Sequence, residues 1–280
     1  MTSQIWTLLG INLAAMVGAM TLISIPSLRT RDPGYVDAFW GVGFVLIAVS
    51  TALQAATGGF GEATRKGLLV GLTSVWGLRL GGYLLWRWRR NGPDPRYQEI
   101  LASRKRGSER LFIWRRVFLV QAVVLTVVAL PVQLGQVYAD RLTWWSWLGA
   151  GLALFGIVFE STADFQLAAF KGDPANAGQV MDKGLWRHSR HPNYFGETCT
   201  WWGLGLLAWS NGATAVALLG PLVITFFLLK VSGVGLLEKS LTKRKPSYVD
   251  YIASTSAFVP LPRRQHDLRG TRHPDRLHPQ

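Results

Sequence analysis

Gly184–Trp202 reads GLWRHSRHPNYFGETCTWW, two His, two Arg, an Asn and a Glu packed into the entry of a very apolar segment. A stretch this polar at the mouth of an apolar run marks one end of a membrane span, with its side chains held for use rather than for solubility. The rest of the chain fits that reading. Of 280 residues, 49% are hydrophobic, only 16% are charged and 13 are Trp. The apolar residues gather in blocks of about twenty, the length that crosses a bilayer's hydrocarbon core. An all-α integral membrane protein follows.

Seven helices are expected near residues 5–26, 37–56, 67–86, 114–136, 144–169, 195–210 and 213–236. The first block has no basic region before it and is too long for a signal-peptide core, so it reads as a retained span. WSNGAT at 209–214 carries the Asn-Gly turn signal and predicts a tight hairpin between the last two helices. The charges divide unevenly between alternate loops. With the N-terminus outside, 25 of the 30 Lys and Arg face the cytoplasm, while the outer loops hold only Arg65, Lys66 and Arg141. Arg79 and Lys230 fall inside helices. This asymmetry predicts an odd number of spans and a cytoplasmic C-terminus. Residues 1–262 form one transmembrane domain, and QHDLRGTRHPDRLHPQ, polar and without apolar period, gives 263–280 the character of a disordered tail.

The formal charge of +14 raises nucleic-acid binding, but the basic residues lie between apolar blocks and form no separable basic domain, so no nucleic acid is expected. Membrane lipids are the expected surroundings, and no obligate protein partner is evident. The single cysteine, Cys199, excludes an intramolecular disulfide and a Cys-based metal site. His188 and His191 are three apart, but the His-Glu-x-x-His pattern is missing and Pro192 ends any helix containing both. No metal is expected. Pro192 and Asn193 instead start a helix whose first N–H groups are free for an anion or a carboxamide.

Five charges interrupt the spans or their edges: Arg79, Glu160, Asp164, Glu197 and Lys230. Glu160 and Asp164 are four apart and share a helix face. Charges at such depth belong in a protein interior or a watery cavity, and their recurrence points to a polar cavity open to the cytoplasm. RWRRNGPDPRYQEI (87–100) adds Arg87, Arg96 and Tyr97, and a turn that fixes an Arg and a Tyr suits a phosphate or a ribose. There is no Rossmann G-x-G-x-x-G after a strand and no Walker loop. TGGFGE at 57–62 reads as an outer loop.

Five stretches carry a resemblance to a known family: DPGYVDAFWG (32–41), LRLGGYLLWRWRRNGPDPRY (78–97), ESTADFQLAAFK (160–171), GLWRHSRHPNYFGE (184–197) and YVDYIASTSAFVPLP (248–262). Over roughly residues 30 to 262 the chain resembles the steroid 5α-reductase superfamily, in particular its bacterial branch. The RHPNYFGE element is shared in looser form with sterol reductases and isoprenylcysteine methyltransferases. The resemblance implies seven spans in the bacterial inner membrane and an NADPH site open to the cytoplasm. It assigns cofactor contacts to Tyr35, Asp37, Arg79, Arg87, Arg96, Tyr97, Glu160, Asp164, Lys171, Arg190, His191, Asn193, Tyr194, Glu197, Lys230, Tyr248 and Tyr251. Asn193 and Glu197 are the pair implied to hold the nicotinamide carboxamide, and Arg79 and Lys230 partner the phosphates. Glu160 stands where the family has Asn, and Lys171 where it has Arg.

For substrate, the family uses a Gln-Glu pair on the second helix with a Tyr on the third. Here the pair reads Gln54-Ala55, and the Tyr position falls on Trp76 with Tyr83 nearby, so Gln54, Trp76 and Tyr83 are the implied catalytic residues. The expected activity is NADPH-dependent reduction of a carbon–carbon double bond conjugated to a ketone, in a steroid-like, lipophilic substrate arriving from the bilayer. Competing readings are an S-adenosylmethionine-dependent methyltransferase of the isoprenylcysteine or phospholipid type, and a non-catalytic sterol or lipid binder or small transporter. Charges crowded at the inner face, and the lack of an internal repeat, argue against transport.

Overall fold

The structure is a computed structural model; it describes residues 2–30, 32–92, 94–104, 107–138, 140–209, 214–231, 233–235, 238, 241–242 and 245–264. Asn211-Gly212 and residues 265–280 of the expected tail lie outside these. The described residues form helices and turns, with no strand among them. The helices are α1 (Thr2–Thr30), α2 (Tyr35–Thr57), α3 (Ala63–Asn91), α4 (Pro95–Ala102), α5 (Glu109–Val128), α6 (Leu130–Gly135), α7 (Trp144–Gly172), α8 (Pro192–Leu207), α9 (Ala215–Val231) and α10 (Tyr248–Ser254).

Five of these, α1, α2, α3, α5 and α7, contain stretches long and apolar enough to cross a membrane. Their outward stripes carry Leu22, Leu53, Val75 and Leu78, each more than half exposed. That much bare apolar surface suits hydrocarbon rather than water. Helix α8, at 16 residues, and α9 are apolar but shorter. The expected single helix over 114–136 is two pieces, α5 and α6. Pro131 has no N–H to bond the preceding turn, and the helix breaks at Ala129. Within α5, residues Trp114–Leu119 widen into a π turn.

The chain divides into two compact units, residues 1–158 with 197–226, and residues 159–196 with 227–280. In the first, α2 and α3 meet backbone to backbone. A Cβ on Gly41 would stand 2.1 Å from the Gly77 carbonyl, and one on Gly77 would stand 2.4 Å from that of Gly41. One turn farther along, Gly81 faces the Ala38 carbonyl at 3.0 Å. Gly77 and Gly81 thus form a small-xxx-small stripe, the device that lets helices approach closely in lipid, where no hydrophobic effect drives them together. α7 and α8 repeat it where Gly149 and Ala153 face Gly203.

The same unit buries a polar network inside its apolar helices. Asn12 Nδ2 donates to Thr51 Oγ1 at 2.8 Å and to Gln133 Oε1 at 3.0 Å. Asn12 Oδ1 accepts from Ser50 Oγ at 2.8 Å and Gln54 Nε2 at 3.0 Å. Lipid offers no partner to a polar group, so these side chains find one another and tie α1, α2 and α6 together. Just beyond this end of α2, the 57–62 turn takes Gly59 and Gly61 to φ of +68° and +82°. It ends with Glu62, whose carboxylate accepts from the Thr64 and Arg65 N–H groups and caps α3.

Because the space between α2 and α3 is already occupied by backbone, Gly41→Ala forces the helices apart. The expected cost is about 1–3 kcal/mol, read as a lower melting temperature in detergent. Gly71→Ala, on a part of α3 with open space around it, leaves melting unchanged or slightly raised.

Candidate functional site

In the second unit, α8 begins at Pro192, and its first turn lies against α7. A Cβ on Gly196 would stand 2.6 Å from the Glu160 nitrogen, so only glycine fits there. This contact brings Asn193 to Asp164, and Asn193 Nδ2 donates to Asp164 Oδ1 at 3.2 Å. Glu160 and Asp164 are 2% and 5% exposed, two acids on one face of α7 as the spacing predicts. An ionised carboxylate accepts only. With its Nδ2 on Asp164, Asn193 has its Oδ1 turned away from that carboxyl group.

The turn leading into α8 is fixed from both sides. Trp186 Nε1 donates to the Ala163 carbonyl at 3.0 Å, and Gln166 Oε1 accepts from the Leu185 N–H at 2.9 Å. Gly184 makes the turn at φ +58°. From the other side comes the C-terminal segment. Arg190 grips Glu238 through Nε at 2.7 Å and Nη2 at 3.2 Å, and its Nη1 donates to the carbonyls of Ile252, at 3.0 Å, and Thr255. Ser189 Oγ donates to the Phe258 carbonyl at 2.7 Å, and Tyr251 donates to the carbonyls of Trp186 and Ser189.

Arg190 and Tyr251 are thus occupied in holding residues 248–258 over the turn, a use that differs from the cofactor contact expected of them. His191 Nε2 stands 3.2 Å from Glu238 Oε1, and its ring stacks on Tyr194 at 5.5 Å. Tyr248 is buried beside Tyr251. Burial, with the Glu238 charge nearby, pushes the Tyr248 phenol up to about 12, so it stays a neutral hydroxyl. Lys171 and Lys230 are exposed.

In the first unit, the N-terminal end of α2 gathers three expected contacts. Tyr97, on α4, donates to Asp37 Oδ1 at 2.5 Å, and Tyr35 packs on Trp88 at 4.7 Å. The Arg96 side chain lies outside the described residues, and Arg87 is half-buried. Trp76, Arg79 and Tyr83 follow the i, i+3, i+7 spacing of one face of α3. Trp76 is fully buried between Phe44 and Trp201, with ring centroids 5.4 and 5.2 Å away. Glu197, 7% exposed, lies one turn beyond Asn193 on α8.

Gln54 lies apart from Trp76 and Tyr83. The contact of Gly41 with Gly77 sets Trp76 level with Val42 on α2. Gln54 is twelve residues farther along, about 18 Å away at the α-helical rise, and cannot share a carbonyl oxygen with Trp76 or Tyr83. Both hydrogens of its Nε2 are also engaged, by Asn12 Oδ1 and by Ser50 Oγ at 3.2 Å. Gln54 is part of the network that binds α1 to α2.

Sequence reasoning missed Glu238. It sits between apolar GVGLL and basic KSLTKRK and reads as an ordinary interfacial charge. Its only signal is that it is the first acid after α9. Among the described residues, no three His, Cys, Asp or Glu gather as a metal would need.

Burial alone would raise the Glu238 carboxyl, but hydrogen bonds from His191 and Arg190 outweigh it and hold the group below the usual carboxylate range. A depressed carboxyl contributes stability above the unfolded value, about 4.3 for Glu, and loses it as pH falls through the folded value. The melting advantage of the wild type over Glu238→Gln should therefore be constant near neutrality and shrink below about pH 4. Arg190→Ala should expose residues 248–258 to protease at neutral pH, as the Ile252 and Thr255 carbonyls lose their donor.

One of the comparisons with known proteins gives a family. An uncharacterized protein of Schizosaccharomyces pombe is 25% identical over 203 residues, covering 62% of this chain and 57% of the yeast protein. The match thus spans little more than half the length of that relative. No solved structure matches the chain. A family model described as "Protein of unknown function (DUF1295)" matches residues 24–255. With most of its length inside that match, the chain belongs to the DUF1295 family.

Proposed function

We propose that this protein is an NADPH-dependent membrane reductase that saturates the carbon–carbon double bond of an enone in a steroid-like substrate, and that it belongs with the bacterial branch of the steroid 5α-reductase superfamily. In this reading the chain spans the bacterial inner membrane seven times, with α8 and α9 as the short sixth and seventh spans and the C-terminus in the cytoplasm. The observation that carries it is the Asp164–Asn193 pair. A buried acid orients an amide so that an acceptor oxygen faces away from it, at the start of a helix, on the sequence element the resemblance assigns to the nicotinamide end of the cofactor.

The residues fit that group chemically. A carboxamide has both a donor and an acceptor face. Asn193 Oδ1 can accept from its N–H, and the second Asn193 hydrogen and the α8 N–H groups can donate to its oxygen. Glu160 and Asp164 suit ribose hydroxyls, which need acceptors. NADPH, when bound, supplies a hydride to the β-carbon of the enone. The double bond then shifts to lie between the α-carbon and the carbonyl carbon as the carbonyl π pair moves onto oxygen, and the carbonyl re-forms when the α-carbon takes a proton from water.

The chain's part is to hold the two partners, exclude water and supply donors where the negative charge develops. With Gln54 withdrawn, the Tyr83 hydroxyl, on the same α3 face as Trp76 and Arg79, is the resemblance-derived donor that remains. Arg79 balances phosphate charge.

NADPH at a hundred times its dissociation constant should raise stability by about 2.7 kcal/mol, seen as a higher melting temperature. S-adenosylmethionine should not. Stabilisation by S-adenosylmethionine alone would replace this reading with the methyltransferase. Glu197→Ala should remove most of the NADPH shift with the fold intact, and Asn193→Ala should remove it while also lowering the ligand-free melting point, as buried Asp164 loses a donor. Turnover is followed as loss of NADPH absorbance with a Δ4-3-ketosteroid, and a strong NADPH shift without turnover on any enone favours a binder.

A further inference from the structure

Helix α3 keeps one exposed face along most of its length. The face runs from Gly67 through Val75, Leu78 and Gly82 to Trp86 and Arg89, at helical spacing. From Gly67 to Trp86 is about 28 Å at the α-helical rise, close to the thickness of a bilayer's hydrocarbon core. With Gly67 at one edge of that core, Trp86 stands at the other. Arg89 and Arg90 lie about 5 Å farther along, at the level of lipid phosphates.

Trp86, 43% exposed, has a ring and a cation of its own helix as neighbours. Tyr83 lies with its ring centroid 5.8 Å away and its plane within 26° of parallel, and the Arg90 guanidinium stands 5.7 Å from the Trp86 centroid. Trp6, Trp144, Trp145, Trp147 and Trp209 are also exposed, but among the described residues Trp86 alone carries a cation over its ring. A guanidinium laid over a ring uses its face and keeps the N–H groups at its rim, which suits bidentate contact with a phosphate. Among the described residues neither Arg89 nor Arg90 forms an ion pair. Asp32, which reaches this end of α3, is taken by the N–H groups of Gly34 and Trp88, and Trp88 lies about 200° around the helix from Trp86.

One turn before Trp86 the face is open. A Cβ on Gly82 would meet nothing within 4 Å, while Leu78 and Trp86 stand out on either side of it, Leu78 being 58% exposed. The gap lies one turn into the hydrocarbon from the Trp86 ring, where the acyl chain of a lipid leaves its glycerol.

We infer that this end of α3 binds one anionic glycerophospholipid. Arg89 and Arg90 hold its phosphate, the Trp86 ring packs against its glycerol backbone, and an acyl chain lies over Gly82 and Leu78. A free phosphate has the charge but nothing to place over Gly82, and a zwitterionic lipid brings an ammonium group toward two Arg. The occupant is therefore a lipid of net negative charge, and the site does not depend on the reaction the protein performs.

The test uses the full-length protein in detergent, titrated with phosphatidylglycerol or phosphatidylcholine, with bound lipids counted by native mass spectrometry and inorganic phosphate added as competitor. The wild type should retain one phosphatidylglycerol per chain in preference to phosphatidylcholine. Replacing both Arg89→Gln and Arg90→Gln should weaken phosphatidylglycerol about 30-fold, roughly fivefold for each charge removed at a lipid surface, and leave phosphatidylcholine unchanged. Gly82→Leu fills the gap and should release the retained lipid, with the melting temperature at or above that of the wild type because Leu favours a helix more than Gly. Equal affinity of the wild type for the two lipids overturns the site, as does undiminished phosphatidylglycerol binding in the double Gln variant or in Gly82→Leu. Displacement of the lipid by an equal concentration of inorganic phosphate overturns it too, leaving a phosphate contact alone. A wild type that runs as a dimer, parted by Gly82→Leu, gives the face to a second copy of the chain in place of the lipid.

Discussion

Where Gly41 meets Gly77, two helices touch with nothing but backbone between them, and much else in the first unit is set by that contact. It fixes α2 on α3 to within a residue. Trp76 comes level with Val42, its ring enters the cage of Phe44 and Trp201, and Arg79 and Tyr83 follow on the same face. It also carries Gln54 to the far end of α2, where Asn12 and Ser50 take its hydrogens. A bulkier residue at either glycine would change not one contact but the level at which every side chain of α3 meets α2.

The helices were largely legible in the sequence, because apolar blocks of about twenty residues carry a strong signal. Five of the expected spans appear as helices long and apolar enough to cross a membrane. The split of the fourth block at Ala129 was also available in principle, from Pro131. The buried acids of α7 and the start of α8 at Pro192 were read from spacing and helix-start chemistry, and the structure places Asn193 on Asp164. All of these depend on local order along the chain, which a sequence states directly.

What escaped depends on register between helices. Gln54 holds the place of a substrate residue in the family pattern on one helix, yet which side chains share a level is decided by small residues on two. Glu238 was overlooked for a related reason. It resembles any interfacial acid, and only its partner, Arg190, sets it apart. Amide orientation is similar: the Gln121 oxygen faces Trp40 because an indole N–H can only donate.

The grip of Arg190 on the Ile252 carbonyl joins residues 62 positions apart, and this has a consequence during synthesis. The 184–191 turn leaves the ribosome well before the segment that covers it. At roughly 5–20 residues per second, Arg190 waits on the order of 3–12 s for its carbonyl partners. Until then its guanidinium, and the Trp186 and Ser189 carbonyls that Tyr251 will engage, must be satisfied by water or by the lipid headgroup layer. The turn can take its shape early from Trp186 and Gln166, which lean on α7 already made. Its C-terminal cover is a late addition, and a chain released too soon would keep the helices of the first unit while leaving the Asp164–Asn193 site uncovered.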